Sequence, residues 1–306
     1  MTASEALAGL GLTSMSSVAT SDARFPDGAH YRIEIPSVEG PVVLQEVLDA
    51  AKTHGLTVNR VSQGSGAMVM TTGELAQMAR IGADAGLEVS LFVGPREEFG
   101  IGVQAAAADG GSLHGRIRGI AQLRYAIEDV MRAAECGIRG FLVADTGLLE
   151  VLVGLQRSGE LPASIVWKVS VMLAPSNPVT LRQLESLGGH TVNVPSDLTL
   201  DQLAEMRAAS TVPLDLYVEA PDALGGTVRG EQCDELIRVG APMYVKFGLR
   251  NARALYPAGE HLVGEACAIA REKVHRAAVA REWLDRFEAD VVQSAPGAPG
   301  LGVPEP

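Results

Sequence analysis

One recurring pattern restricts the fold of this chain more than any other. A helix-like segment ends in glycine, and a short β-rich run follows at once. His54-Gly55 leads into Leu56–Val61, Ala85-Gly86 into Leu87–Val93, and Cys136-Gly137 into Ile138–Val143. Gly188-Gly189 precedes His190–Val194, and Gly240 precedes Ala241–Phe247. Glycine just past a helix end accepts the left-handed conformation there, and a short loop then enters a strand. With Tyr31–Ile35, Ile165–Met172 and Leu214–Val218 the count reaches eight, starting near residues 31, 57, 87, 138, 165, 190, 213 and 243. Thr71-x-x-Glu74 and Thr199-x-x-Gln202 are capping boxes that open two of the intervening helices.

Eight β/α units in about 250 residues predict a (β/α)8 TIM-like barrel, α/β in class and a single domain. A doubly wound open sheet is the alternative architecture. The barrel domain spans 29–290 and includes a final outer helix at roughly Leu262–Glu288. Residues 1–28 are rich in Ala, Ser, Gly and Thr and are expected to be flexible, with one short helix near Ser4–Leu10. Residues 291–306 carry Ala-Pro-Gly repeats and are expected to be disordered.

Composition narrows the functional classes. A formal charge of −12 and a pI near 5.0 disfavour a nucleic-acid or anionic-membrane surface. No stretch approaches about 18 uncharged apolar residues, and no basic segment precedes an apolar one at the start, so a cytoplasmic protein is expected. Cys136, Cys233 and Cys267 are too scattered for a disulfide framework or a metal cluster. A small-molecule substrate is the expected partner, and homo-oligomerisation is compatible with a barrel of this size.

Lysine is rare, four residues against 21 arginines, yet two lysines interrupt apolar runs. Lys168 lies in Ile165–Met172 and Lys246 in Met243–Gly248. An ammonium in a buried strand costs several kcal/mol unless it meets an anion or loses its proton. Side chains alternate along a strand, so one parity faces the barrel axis. That parity, with the strand ends, collects Glu34, Arg60, Gln63, Asp145, Lys168, Ser170, Asn193, Asp215, Tyr217, Glu219, Lys246 and Arg250.

Two readings follow. In one, Glu34, Asp215 and Glu219 neutralise Arg60, Lys168 and Lys246 in a static network. In the other, the groups near the carboxyl ends form a site for a small polar or anionic substrate. Glu219 or Asp145 then serves as general acid/base, Lys246 and Arg250 hold the anion, and Lys168 takes an electrostatic or covalent part. Glu34, Arg60, Gln63, Ser170 and Asn193 line that site. The Gly-rich segment 95–118 reads as a lid or a tolerated insertion, with His114 beside Arg116 and Arg118 as the histidine to test. The reaction is hydrolysis or lysis at a carbonyl. Cofactors stay unassigned. Glu34, Asp145 and Glu219 could ligate a hard divalent cation such as Mg²⁺ in a Mg-dependent lyase, but no metal ligand is assigned.

Thr191–Arg207 followed by Val212–Glu219 resembles the corresponding unit of the peptidase U32 (collagenase-like protease) family. The resemblance implies a barrel-like β/α domain and, as an expectation, hydrolase chemistry. The chain departs from that family at the end of its seventh strand. The family carries a His-Gly and a Cys there, whereas this chain reads Glu219-Ala-Pro-Asp222. Members with hydroxylation chemistry use cysteine clusters for iron–sulfur centres, and none is expected from three scattered cysteines.

Overall fold

The computed structural model describes residues 3–12 and 18–306. After α1 (Ala3–Gly9), eight β/α units run β1 (Tyr31–Pro36), α2 (Pro41–Thr53), β2 (Arg60–Gln63), α3 (Thr72–Asp84), β3 (Glu88–Phe92) and α4 (Gly119–Glu135). They continue β4 (Gly140–Val143), α5 (Thr146–Ser158), β5 (Val166–Val169), α6 (Pro178–Ser186), β6 (Thr191–Asn193) and α7 (Leu200–Ala209). The last are β7 (Leu214–Glu219), α8 (Cys233–Gly240), β8 (Met243–Phe247) and the long α9 (Val263–Arg286). The strands are parallel and close into one barrel, β8 pairing with β1. The (β/α)8 architecture expected from the sequence is therefore the one observed.

Local chemistry explains the boundaries. Thr71 and Thr199 form the two capping boxes. Asn177 caps α6 ahead of Pro178, which suits the first helical turn. Gly137 and Gly188 follow α4 and α6 at φ 95° and 103°, a region closed to most side chains.

The apolar core lies outside the barrel, between sheet and helices. Ile33, Ile35, Val61, Leu91, Phe141, Trp167, Leu216 and Val245 point outward and are buried under the helical ring. Each contributes about 1.5–3 kcal/mol on burial. The inward parity is polar, and the registers bring it into rungs: Glu34 pairs with Arg60 and Lys246, Arg60 with Glu88, and Tyr217 with Lys246.

The tail departs from expectation. Residues 291–306, read as disordered, lie ordered across the amino-terminal ends of the first four strands. Tyr31 N donates to Val292 O and Ser294 N to Tyr31 O, at 3.3 and 3.1 Å. Gly297 N donates to Gly86 O at 2.7 Å, and Glu305 N to Gly137 O at 2.8 Å. The reason is polar rather than hydrophobic. Arg32, 1% exposed, donates to Ser294 Oγ (2.9 Å), Tyr244 Oη (3.0 Å) and Pro299 O (2.7 Å). Glu88 Oε2 accepts from Gly302 N at 3.2 Å. The tail adds hydrogen-bond partners to two buried charges, beside those that Tyr244 and Arg60 already give them.

The leading segment is also partly fixed. Ser21 bonds Ala241 O at 2.5 Å, and Phe25 is buried edge-on against Tyr244. The expected short helix is α1. Residues 1, 2 and 13–17, within the segment read as flexible, lie outside the described residues.

Candidate functional site

The barrel interior is a closed circuit of charges centred on Glu34 and Arg60. Glu34 Oε1 accepts from Lys168 Nζ and, at 2.7 Å, from Ser62 Oγ; Lys246 Nζ lies 3.4 Å away. Glu34 Oε2 is 3.3 Å from Arg60 Nη1. Arg60 also reaches Glu88 at 2.6 Å and Asp215 at 3.0 Å, and its guanidinium stands 3.4 Å above the Tyr244 ring. Lys246 donates to Asn193 Oδ1 and sits 4.2 Å from the Tyr217 ring centre. Three carboxylates, Glu34, Glu88 and Asp215, thus face three cations, Arg60, Lys168 and Lys246.

Burial and neighbours set the protonation states. Burial alone would raise the Glu34 carboxyl, but Lys168, Lys246 and Arg60 overcome it and hold it well below the usual carboxylate range. Burial pulls the Lys168 ammonium down to about 7, with Glu34 opposing and Lys246 and Arg60 adding to the fall. Lys246 goes the other way: burial lowers it, but Glu34 and Tyr217 outweigh burial and raise it. Burial raises the Asp215 carboxyl despite Arg60 and Lys168. Two amines on one carboxylate oxygen therefore differ in character, one poised to be neutral near pH 7 and one held protonated.

Toward the carboxyl ends of the strands, two inward-parity side chains are less deeply buried than the charges beside them. Leu142 and Tyr217 share the inward parity and are only half-buried, whereas their rung partners Lys168 and Lys246 are 0% and 3% exposed. Two buried polar atoms on this axis, Ser90 Oγ and Asp215 Oδ1, have no hydrogen-bond partner.

The remaining candidates from the sequence serve the rim. Asp145 caps α5 through Leu148 N (2.9 Å) and accepts from Ile117 N of the long loop (3.3 Å). Gln63 exchanges two hydrogen bonds with the Gly66 backbone. Ser170 accepts from Met172 N at 3.2 Å. His114 Nε2 lies 3.0 Å from Ala105 O inside the 95–118 loop. Glu219 accepts from Arg250 N (3.0 Å) and faces Arg276 (3.6 Å). The Arg250 side chain is 61% exposed and turned toward Asp222. The structure therefore gathers Glu34, Arg60, Lys168, Asn193 and Lys246 into one cluster and leaves Gln63, Asp145, Ser170, Glu219, His114 and Arg250 outside it.

Sequence reasoning missed Arg32, Glu88, Ser62 and Thr191 as partners in the interior. For Arg32 and Glu88, strict alternation in Tyr31-Arg-Ile-Glu-Ile35 and Leu87-Glu-Val-Ser-Leu91 carried that signal. It also missed Lys273, buried on α9, which donates to Pro36 O at 2.8 Å. Its place in an inward stripe with Ala266, Ala270 and Ala277 was the clue. Among the described residues, no group of three or more His, Cys, Asp or Glu stands together as a metal site. No described helix is long and apolar enough to cross a membrane.

No family model matches the chain, and no curated protein matches it. Solved structures resemble it in fold. A protein assigned as a fructose-1,6-biphosphate aldolase from Coccidioides immitis aligns with TM-score 0.52 and 12% identity, covering 85% of this chain and 90% of that one. A U32 peptidase aligns with TM-score 0.40 and 18% identity, over 68% of this chain and 74% of that one. A protein assigned as the copper homeostasis protein CutC from Streptococcus agalactiae aligns with TM-score 0.49 and 12% identity, over 70% and 98%. At such identities the likeness concerns the barrel, and the activity has to be argued from the site.

Proposed function

We propose that this barrel is an enzyme acting at a carbonyl centre of a small anionic substrate, as a lyase or hydrolase, from the carboxyl-terminal end of its strands. The arrangement that carries this reading is the pair of amines, Lys168 and Lys246, on the single Glu34 Oε1 beside half-buried Tyr217 and Leu142. A neutral Lys168 Nζ can attack a carbonyl carbon, form a C–N bond and release the oxygen as water. Protonated Lys246 lies beside it to stabilise developing negative charge. Acid–base duty falls to Asp215, whose Oδ1 is unoccupied, in preference to Asp145, whose oxygens hold backbone amides. A U32-type hydrolase is a narrower form of the proposal, supported by the stretch Thr191–Glu219. A Mg²⁺-dependent form has less support, because Glu34, Asp145 and Glu219 are committed to separate partners.

Borohydride reduction in the presence of a panel of small 2-oxo acids tests the imine directly. A mass increase located at Lys168, lost in Lys168→Met, is the expected result. An unmodified Lys168 across the panel would remove the covalent role. A second reading, a non-catalytic barrel with a static network, draws support from the 0% exposure of Lys168, Glu34, Arg60 and Asp215. It expects no adduct and no turnover.

A further inference from the structure

The carboxyl-terminal mouth holds a buried arginine that this chemistry leaves unused. Arg96 lies four residues beyond β3, at the start of the long loop, and is 4% exposed. Its guanidinium carbon stands 4.0 Å from the Phe92 ring centre, 4.4 Å from Phe99 and 6.0 Å from Tyr256. Phe92 shares the inward parity of Glu88 and Ser90 and pairs in register with Leu142, which itself pairs with Lys168. Arg96 is thereby placed over the mouth on its β3 side. Tyr256 comes in from the loop after β8. Its hydroxyl is 2.5 Å from Ser37 Oγ, and its ring covers Gly64 so closely that a Cβ there would collide with it. The ends of β1, β2 and β3 converge beside one guanidinium.

The donors of that guanidinium lack acceptors. Glu98 Oε2 is 3.0 Å from Nε but is not aligned for a hydrogen bond, and both atoms are left without one. The other nearby carboxylates are engaged elsewhere. Glu97 faces Arg118 at 2.8 Å and accepts from Gln122, while Glu39 accepts from the amides of Gly64 and Ser65. Nη1 and Nη2 donate no hydrogen bond, yet they are absent from the buried unpartnered atoms, so they retain contact with solvent. A buried arginine normally finds a carboxylate, because stripping its water costs several kcal/mol. Its planar fork matches the paired oxygens of a carboxylate or phosphate. Of the two positions read from the sequence as anion holders, Lys246 lies deep beside Asn193 and Glu34, and Arg250 points into solvent near Asp222.

We propose that Arg96 is the anion anchor of the site, its fork binding the carboxylate or phosphate group of the substrate at the mouth of the barrel. This rests on the anionic substrate of the proposed function and names the residue that recognises it. Calorimetric titration at low ionic strength tests it, using inorganic phosphate in one arm and pyruvate or acetate in the other. The arm that binds more tightly identifies the group. The wild-type chain should bind one equivalent saturably. Arg96→Gln should weaken binding at least tenfold, about 1.4 kcal/mol. Arg96→Lys, which keeps the charge and loses the fork, should weaken it less. Glu98→Gln, which removes the carboxylate beside Nε, should tighten it, an effect a purely structural arginine would not give.

Circular dichroism reports folding, and if Arg96→Gln fails to fold, Arg96→Lys and Glu98→Gln decide. Wild-type affinity in the Arg96 variants, or no saturable binding of either anion to the wild type, overturns the anchor. Anion binding lost in Arg96→Gln without any borohydride adduct would sink the imine alone. An adduct at Lys168 with Arg96 variants binding normally would sink the anchor alone.

Discussion

The two ends of this barrel handle buried charge in opposite ways. At the amino-terminal end each guanidinium nitrogen of Arg32 donates a hydrogen bond and both Glu88 oxygens accept one, and the tail crossing the opening supplies three of these partners. At the carboxyl-terminal end Arg96 Nε and Ser90 Oγ make no hydrogen bond, and Tyr217 and Leu142 stay half-buried. Three non-glycine residues in the left-handed region, Ser37, Ala174 and Asn251, follow β1, β5 and β8 at this same end. Such backbone costs of order 1–3 kcal/mol per residue and collects where a fold serves a ligand. One end has spent its polar groups on stability, and the other has kept them available.

The contrast can be broken at its centre. Glu34 joins the ends, so Glu34→Ala leaves Lys168, Lys246 and Arg60 short of one carboxylate. A loss of about 3–5 kcal/mol is expected in urea unfolding, as for other broken buried pairs. A loss below about 1 kcal/mol would mean that the cations relax into solvent and that the interior is wet.

Deleting residues 294–306 attacks the closed end alone. Arg32 and Glu88 lose three tail partners, and about 3 kcal/mol should go with them, at a net of about 1 kcal/mol per hydrogen bond when the freed groups are re-exposed to water. Anion titration of the shortened chain should be unchanged, since the mouth is at the other end. If stability were unaffected, the tail would be a passenger and the contrast between the ends would fail.

A smaller effect sharpens the comparison through pH. Lys168 has a folded pKa of about 7 and an ordinary lysine value when unfolded, so between these the unfolded chain binds more protons. Stability should therefore rise with pH from about 7 to 8.5, by about 1–2 kcal/mol. Lys273, pulled down to about 8 by burial, adds in the same direction later in the window. Lys168→Met should flatten the first part of the rise. An unaltered slope in that variant would assign the titration to another group.

Much of the fold was legible. The glycine-to-strand beat located eight strands because helix ends need a left-handed residue and parallel strands need short entries, both local requirements. Parity within strands likewise put Glu34, Arg60, Lys168, Asn193 and Lys246 on one face. The rim was harder to read. Asp145 and Gln63 stand at strand ends like catalytic groups, yet each is occupied by a backbone amide a few residues away or in the long loop, and hydrogen-bond partners of loops leave no periodic trace. Arg250 shares parity with Lys246, but β8 ends at Phe247 and the chain turns at Arg250–Asn251, which leaves the side chain in solvent. The tail was misread because its composition offers little to bury, whereas its order comes from backbone groups meeting Arg32 and Glu88.

The sequence by itself determined the architecture and the presence of charge inside it, since both follow from residue spacing along single elements. Tertiary structure alone decided which charges cancel, which end is sealed, and that the buried Arg96 guanidinium makes no hydrogen bond. Those outcomes depend on contacts between residues far apart in the chain, such as Lys168 with Glu34 and Arg32 with Pro299, whose geometry no local pattern encodes.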